Sequence, residues 1–97
     1  MNLFVDDRRP MPKTGYQCCR DVEGAKFLLS FMPFETVSLD YNLGDGGCGM
    51  EILEYMFEHN IQVARINIHS DNLLGIEEMK AYCAEHFPHV ELTLRRA

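Results

Sequence analysis

Short segments in which apolar and polar residues alternate, separated by helix-length stretches, constrain this chain more than any other feature. Val37 and Leu39 alternate with Thr36, Ser38 and Asp40. Ile66 and Ile68 alternate with Arg65, Asn67 and His69. Val90, Leu92 and Leu94 alternate with Glu91, Thr93 and Arg95. Successive side chains on a strand point to opposite faces, so each segment presents one apolar and one polar face. A parallel sheet covered on both sides reads instead as unbroken apolar runs. Strands alternating with helices argue for βαβ units and a mostly parallel sheet. Right-handed crossovers allow all the helices to lie on one side. The pattern predicts a two-layer α/β domain: a mostly parallel five-stranded sheet with about three helices mainly on one face. The second face is expected to be exposed or covered by a partner. Leu3-Phe4-Val5 is apolar throughout and marks the first strand as central.

Strands are expected at 2–6, 15–19, 36–40, 64–69 and 90–95, and helices at 21–32, 49–59 and 75–87. Asp21 is a candidate N-cap, followed by the apolar stripe Val22, Ala25, Leu28 and Leu29, and Pro33 stops that helix. Glu51 favours the dipole at the start of the second helix, and Ile52, Leu53, Met56 and Phe57 form its expected buried face. Met79, Tyr82, Cys83 and Phe87 recur at helical spacing in the third, before Pro88. These stripes are core, not a cofactor box. The segment 7–14, with two prolines, cannot form a helical crossover and is expected to fold across the carboxyl ends. The direction of the second strand is left open.

At 97 residues the chain is expected to be a single domain, 1–97. The net charge of -6 argues against nonspecific nucleic-acid coating, which needs a basic face. It leaves room for a nucleic-acid terminus in a local pocket. No apolar run approaches the ~18 residues of a membrane span, and the N-terminus reads as a strand, not a signal peptide. Cys18, Cys19, Cys48 and Cys83 lack paired metal-ligand spacing. Free thiols in a reducing, cytoplasmic compartment are expected rather than a disulfide framework.

Polar residues gather where these strands end. Asp6 and Asp7 follow the first, Asp40 ends the third, and His69 and Ser70 end the fourth. In open α/β sheets, ligands bind outside the carboxyl ends of the strands. Asp6, Asp7 and Asp40 are the candidate metal ligands, since hard Mg²⁺ or Mn²⁺ takes carboxylate oxygens together with water and phosphate. The alternative is that each aspartate caps a turn separately. His69 is a candidate general acid or base near neutral pH. Ser70 and Asn72 are candidate phosphate contacts, with helix capping the alternative for Asn72. Arg9 is the preferred phosphate-binding arginine, through its planar fork, while Arg8 faces solvent. Lys13, Arg95 and Arg96 add positive charge nearby, with a charged tail as the alternative for the last two. The glycine run from Gly44 to Gly49 fits neither the dinucleotide fingerprint nor the P-loop, and is read as a turn at the pocket rim.

The strand-end pattern resembles the receiver domain of response regulators. There an acidic pair follows the first strand, a phosphoacceptor Asp ends the third, and Ser or Thr ends the fourth. Asp6-Asp7, Asp40 and Ser70 fit in order. The first and last helices of that fold have no counterpart here, and its Lys after the fifth strand is replaced by Arg95 or Arg96. A closer resemblance is to the cyclic-phosphate processing receiver domain. Its pattern is met by Asp6-Asp7-Arg8-Arg9-Pro10, by Ser38-Leu39-Asp40-Tyr41-Asn42-Leu43-Gly44 and by His69-Ser70-Asp71-Asn72-Leu73-Leu74-Gly75. Tyr41 and Asn42 depart from it, standing where His and Asp are expected.

The resemblance implies a receiver-like, flavodoxin-like fold, reduced in its helices, and a part in processing cyclic phosphates of nucleotides or RNA ends. The expected activity is a metal-assisted phosphoesterase with Mg²⁺ or Mn²⁺, acting on a small phosphate ester or an RNA terminus. In it, His69 and Asp40 are the catalytic pair. The alternative is a phosphate-accepting or degenerate receiver, with Asp40 as acceptor, used as a protein-interaction module. A third reading is a purely structural homodimer module, built by pairing the exposed sheet faces.

Overall fold

The computed structural model describes residues 1–10 and 15–95. Lys13 and Arg96, with part of the loop expected at 7–14, lie outside the described residues.

Five strands form one sheet: β1 (Asn2–Val5), β2 (Tyr16–Cys19), β3 (Thr36–Leu39), β4 (Arg65–Ile68) and β5 (Glu91–Leu94). Three helices intervene: α1 (Val22–Phe31), α2 (Gly49–Glu58) and α3 (Leu73–His86). The strand order is β2-β1-β3-β4-β5, and every neighbouring pair is parallel. That answers the open question about β2, which runs parallel to β1 although no helix connects them. It also makes β1 an interior strand, as its unbroken apolar run requires.

The period-two alternation becomes the two faces of this sheet. Leu3, Val5, Val37, Leu39, Ile66 and Ile68 join Val22, Ala25, Leu29, Ile52, Leu53, Met56 and Met79 in one core. The three helices therefore cover the same face, packing α1 on α2 and α2 on α3. The other face carries two cross-strand rows. Asn2, Thr36, Arg65 and Glu91 stand in register in one, and Phe4, Ser38, Asn67 and Thr93 in the other. Polar side chains there pair with one another: Arg65 with Thr36 and Glu91, Asn67 with Ser38 and Thr93.

The helix starts follow from capping. Asp21 accepts from the Gly24 N–H at 2.7 Å, the N-cap expected from the sequence. Asn72 accepts from the Gly75 N–H at 2.9 Å, so α3 begins at Leu73 rather than at 75. Phe57 departs from its expected place in the α2 face. It is 49% exposed, at the helix end against His86 and Phe87, while Ile52, Leu53 and Met56 are buried. All four cysteines are free thiols. Among the described residues, no helix is long and apolar enough to cross a membrane.

Gly49 lets α2 start against the end of β3. Its N–H donates to the Tyr41 carbonyl at 2.7 Å, and a Cβ there would collide with the Asp40 carbonyl oxygen. Gly49→Ala is expected to lower stability by roughly 1–3 kcal/mol, the cost of overpacking against fixed backbone. Urea unfolding at neutral pH measures it, and an unchanged midpoint would contradict the close approach.

Candidate functional site

The site lies at the carboxyl ends of β1, β3 and β4, and its hub is Asp6. Asp6 follows β1 and is 0% exposed. Its Oδ1 accepts the backbone N–H of Arg8 at 2.8 Å and of Arg9 at 2.9 Å, which turns the chain sharply out of the strand. Its Oδ2 accepts from Arg9 Nη1 at 2.9 Å and lies 3.0 Å from His69 Nε2. Burial alone would raise the pKa of this carboxyl. The two backbone N–H groups, the Arg9 guanidinium and His69 outweigh it and hold Asp6 at about 2.

Arg9 returns over the strand ends and gathers three carboxylates. Nη1 contacts Asp6 and, at 3.2 Å, Asp40 Oδ2; Nη2 contacts Asp71 Oδ2 at 2.5 Å. The phosphate contact expected of Arg9 is thus an arginine already engaged by acids. Arg20 secures the same turn from β2, donating to the Asp6 carbonyl at 2.9 Å and the Arg9 carbonyl at 2.7 Å.

Beside this cluster is a cavity of about 500 Å³, lined by Asp7, Arg9, Asp40, Asn42, Ser70 and Asn72 among others. Asp7, Asp40, Arg9, Ser70 and Asn72 thus meet as the sequence predicted. Ser70 accepts from the Asn72 N–H at 3.2 Å, which shapes the turn before α3. Asn72 serves as helix cap and cavity wall together, so the two alternatives for it coincide.

His69 is placed differently from the expected acid or base. It is 1% exposed and does not line the cavity. Its ring stacks on Phe4 with centroids 4.6 Å apart, Nδ1 lies 2.7 Å from Ser38 Oγ, and Nε2 faces Asp6. Burial lowers its pKa against the opposing pull of Asp6 and Asp40. His69 stands behind the pocket: it contacts Asp6, which is itself buried and outside the lining, and Asp6 contacts the lining residue Arg9.

Three contributors escaped the sequence reading. Asp71 is the third carboxylate on Arg9, and its position between Ser70 and Asn72 was the available signal. Arg20 carried no signal, because its partners are backbone carbonyls. Asn67 showed only as a polar position on a strand. Tyr41, which departs from the family pattern, is turned away from the cavity onto Gly75, where a Cβ would collide with its ring. The Glu78 carboxylate, and then Cys48, push its phenol up to about 12, so it stays protonated.

The donor set fits a hard divalent cation. Asp6, Asp7 and Asp40 each offer a carboxylate oxygen, and these lie within 4.8 Å of one another. Asp7 Oδ1 is buried with no hydrogen-bond partner among the described residues. Arg8 Nε lies 3.8 Å from it, beyond hydrogen-bond reach, so a hard cation would satisfy this buried oxygen better. Asp6 is already saturated by four hydrogen bonds, which leaves Asp7 and Asp40 as the more available ligands.

A parallel sheet in the order β2-β1-β3-β4-β5, with an acidic pair after β1, an aspartate after β3 and a serine after β4, defines a receiver-like domain. Within that class, the family model of the cyclic-phosphate processing receiver domain matches residues 1–85, and the chain belongs to that family. No curated protein and no solved structure matches it.

Arg9→Met would strand Asp6 and Asp40 without their cation. A loss of about 3 kcal/mol is expected from removing one partner of a buried ion pair, read by urea unfolding. Millimolar Mg²⁺ should raise the midpoint of this variant more than that of the wild type; equal shifts would refute a shared site. Acid should destabilise in two stages. His69 is held below its ordinary 6.5, so the unfolded chain takes up the proton first and stability falls as pH drops below about 6.5. Asp6 is lowered from 3.8 to about 2, so its contribution is complete above 3.8 and lost as pH falls toward 2. Unfolding midpoints across this range should lose the upper stage in His69→Asn and the lower in Asp6→Asn.

Proposed function

We propose that the chain is a metal-assisted phosphoesterase acting on the cyclic phosphate of a nucleotide or an RNA end. One observation carries this: Asp7, whose buried Oδ1 has no hydrogen bond among the described residues, belongs to the three-aspartate cluster, beside a cavity whose other walls carry phosphate donors. Asp7 and Asp40, with Asp6, would hold Mg²⁺ or Mn²⁺. Such an ion supplies a Lewis acid for a phosphoryl oxygen and lowers the pKa of bound water. Ser70 Oγ and the Asn72 amide present hydrogen-bond donors to phosphate oxygens. Arg9 contributes by exchanging Asp40 or Asp71 for a phosphate oxygen, which its planar fork accepts equally well.

In the reaction, the oxygen of water bonds to phosphorus, one ring P–O bond breaks, and the leaving oxygen takes up a proton to give a monoester. Direct proton transfer by His69 is not part of this proposal, because Asp6 and Arg9 stand between its ring and the cavity. Leu73 and Leu74, 68% and 84% exposed, follow the cavity-lining Asn72 and offer an apolar surface for the nucleoside portion. The free thiols accord with a reducing, cytoplasmic setting.

A second reading, a phosphate-accepting receiver that meets a protein partner, has its own support. Asp40 ends β3 with a cation, Arg9, at 3.2 Å, the surroundings a phosphoryl group on that aspartate would need.

The deciding assay is hydrolysis of 2′,3′-cyclic nucleotides and cyclic-phosphate RNA ends with Mg²⁺ or Mn²⁺. Metal-dependent turnover is expected, reduced at least about tenfold in Asp7→Asn and Asp40→Asn, and partially in His69→Ala. A folded protein that binds metal yet shows no turnover, and that forms a phosphoryl adduct on Asp40 with acetyl phosphate by mass spectrometry, would favour the receiver reading.

A further inference from the structure

Asp6 is approached from behind by a file of side chains that spans three strands. Thr93 Oγ1 lies 2.7 Å from Asn67 Oδ1, and Asn67 Nδ2 lies 2.8 Å from Ser38 Oγ. Ser38 Oγ lies 2.7 Å from His69 Nδ1, and His69 Nε2 lies 3.0 Å from Asp6 Oδ2. The strand register makes the first part of the file, because Ser38, Asn67 and Thr93 are direct neighbours on β3, β4 and β5.

The chemistry of the groups gives this file one direction. An ionised carboxylate only accepts, so His69 Nε2 carries the hydrogen. A neutral imidazole protonated at Nε2 has an acceptor at Nδ1. The single hydroxyl proton of Ser38 is therefore donated to Nδ1, and Ser38 Oγ accepts from the Asn67 amide. The Asn67 carbonyl oxygen then accepts from Thr93. In a neutral ring, reversing the file would place the Nε2 lone pair against the Asp6 charge; a doubly protonated ring would turn Nδ1–H onto Ser38 Oγ, which already accepts from Asn67. The stacked Phe4 ring holds the imidazole plane while these contacts hold its edge.

We infer that Asn67 is a positioning residue: its amide orients the Ser38 hydroxyl, which sets the His69 tautomer whose Nε2–H holds the Asp6 carboxylate on Arg9, a cavity-lining residue. Thr93 fixes the amide in turn. The polar face of the sheet thereby becomes part of the site although none of Ser38, Asn67 and Thr93 lines the cavity. The consequence for the cation rests on the phosphoesterase reading; the tautomer does not. Outer-shell partners that orient a ligand in this way are worth about 10–100-fold in metal affinity.

The test uses the full chain with ¹⁵N-labelled histidine, metal-free and at neutral pH, together with Mn²⁺ binding followed by electron paramagnetic resonance. The wild-type His69 spectrum should show the Nε2–H tautomer. Asn67→Asp, which replaces the donating amide by an acceptor, should turn the Ser38 hydroxyl away and bring a proton onto Nδ1. Ser38→Ala should weaken Mn²⁺ binding about tenfold, and Ser38→Thr, which keeps the hydroxyl, should stay within about twofold of wild type. A wild-type ring protonated at Nδ1, alone or as imidazolium, an unmoved tautomer in Asn67→Asp, or wild-type Mn²⁺ affinity in Ser38→Ala would each overturn the inference. If the variants fail to fold, the wild-type spectrum decides by itself. A wild type with the Nε2–H tautomer but no Mn²⁺ binding would sink the phosphoesterase reading and support the file as drawn.

Discussion

The Asp6 carboxylate is the constraint on which the rest of this site depends. A buried charge is tolerated only when its lone pairs are occupied, and Asp6 meets that condition with four contacts drawn from three places. Two come from the backbone of the turn it begins, one from Arg9, which the turn carries, and one from His69 at the end of β4. Each contact fixes a different part of the structure. The backbone pair forces the exit from β1, Arg9 draws Asp40 and Asp71 together, and His69 ties the β4 end to the β1 end across β3.

That arrangement answers a problem created by the fold. With all three helices on one face, no helix among the described residues covers the other side of the sheet. The strands meet this by placing Asn2, Thr36, Ser38, Arg65, Asn67, Glu91 and Thr93 there in register, so that polar groups satisfy one another across strands. Phe4 is the apolar exception, and it is covered in part by the His69 ring stacked on it. The sheet face and the site are consequently one hydrogen-bonded unit, with Ser38 and His69 at the junction.

Much of this was legible in the chain. The period-two strands implied a half-covered sheet, and the fold has one. Asp21 and the apolar stripe after it located α1, and the strand-end aspartates marked where the candidate site lies. Other features were hidden for identifiable reasons. His69 looked like an acid or base because sequence shows a residue at a strand end without showing whether it points into the cavity or behind it. Arg9 looked free for phosphate because Asp71, its third partner, comes from a loop that follows a different strand. Arg20 was invisible because it binds carbonyl oxygens, which every residue has. Phe57 matched the helical period of α2 yet lies at the helix end, beyond the reach of the core.

The sequence by itself determined the layer architecture, the helix starts and the presence of three aspartates and a serine at strand ends, because periodicity and capping are local properties. Which of those polar groups face the cavity and which stand behind it was decided only in the tertiary structure. Strand order and register bring residues as distant as Asp6 and His69 into contact, and they alone determine which lone pair meets which proton.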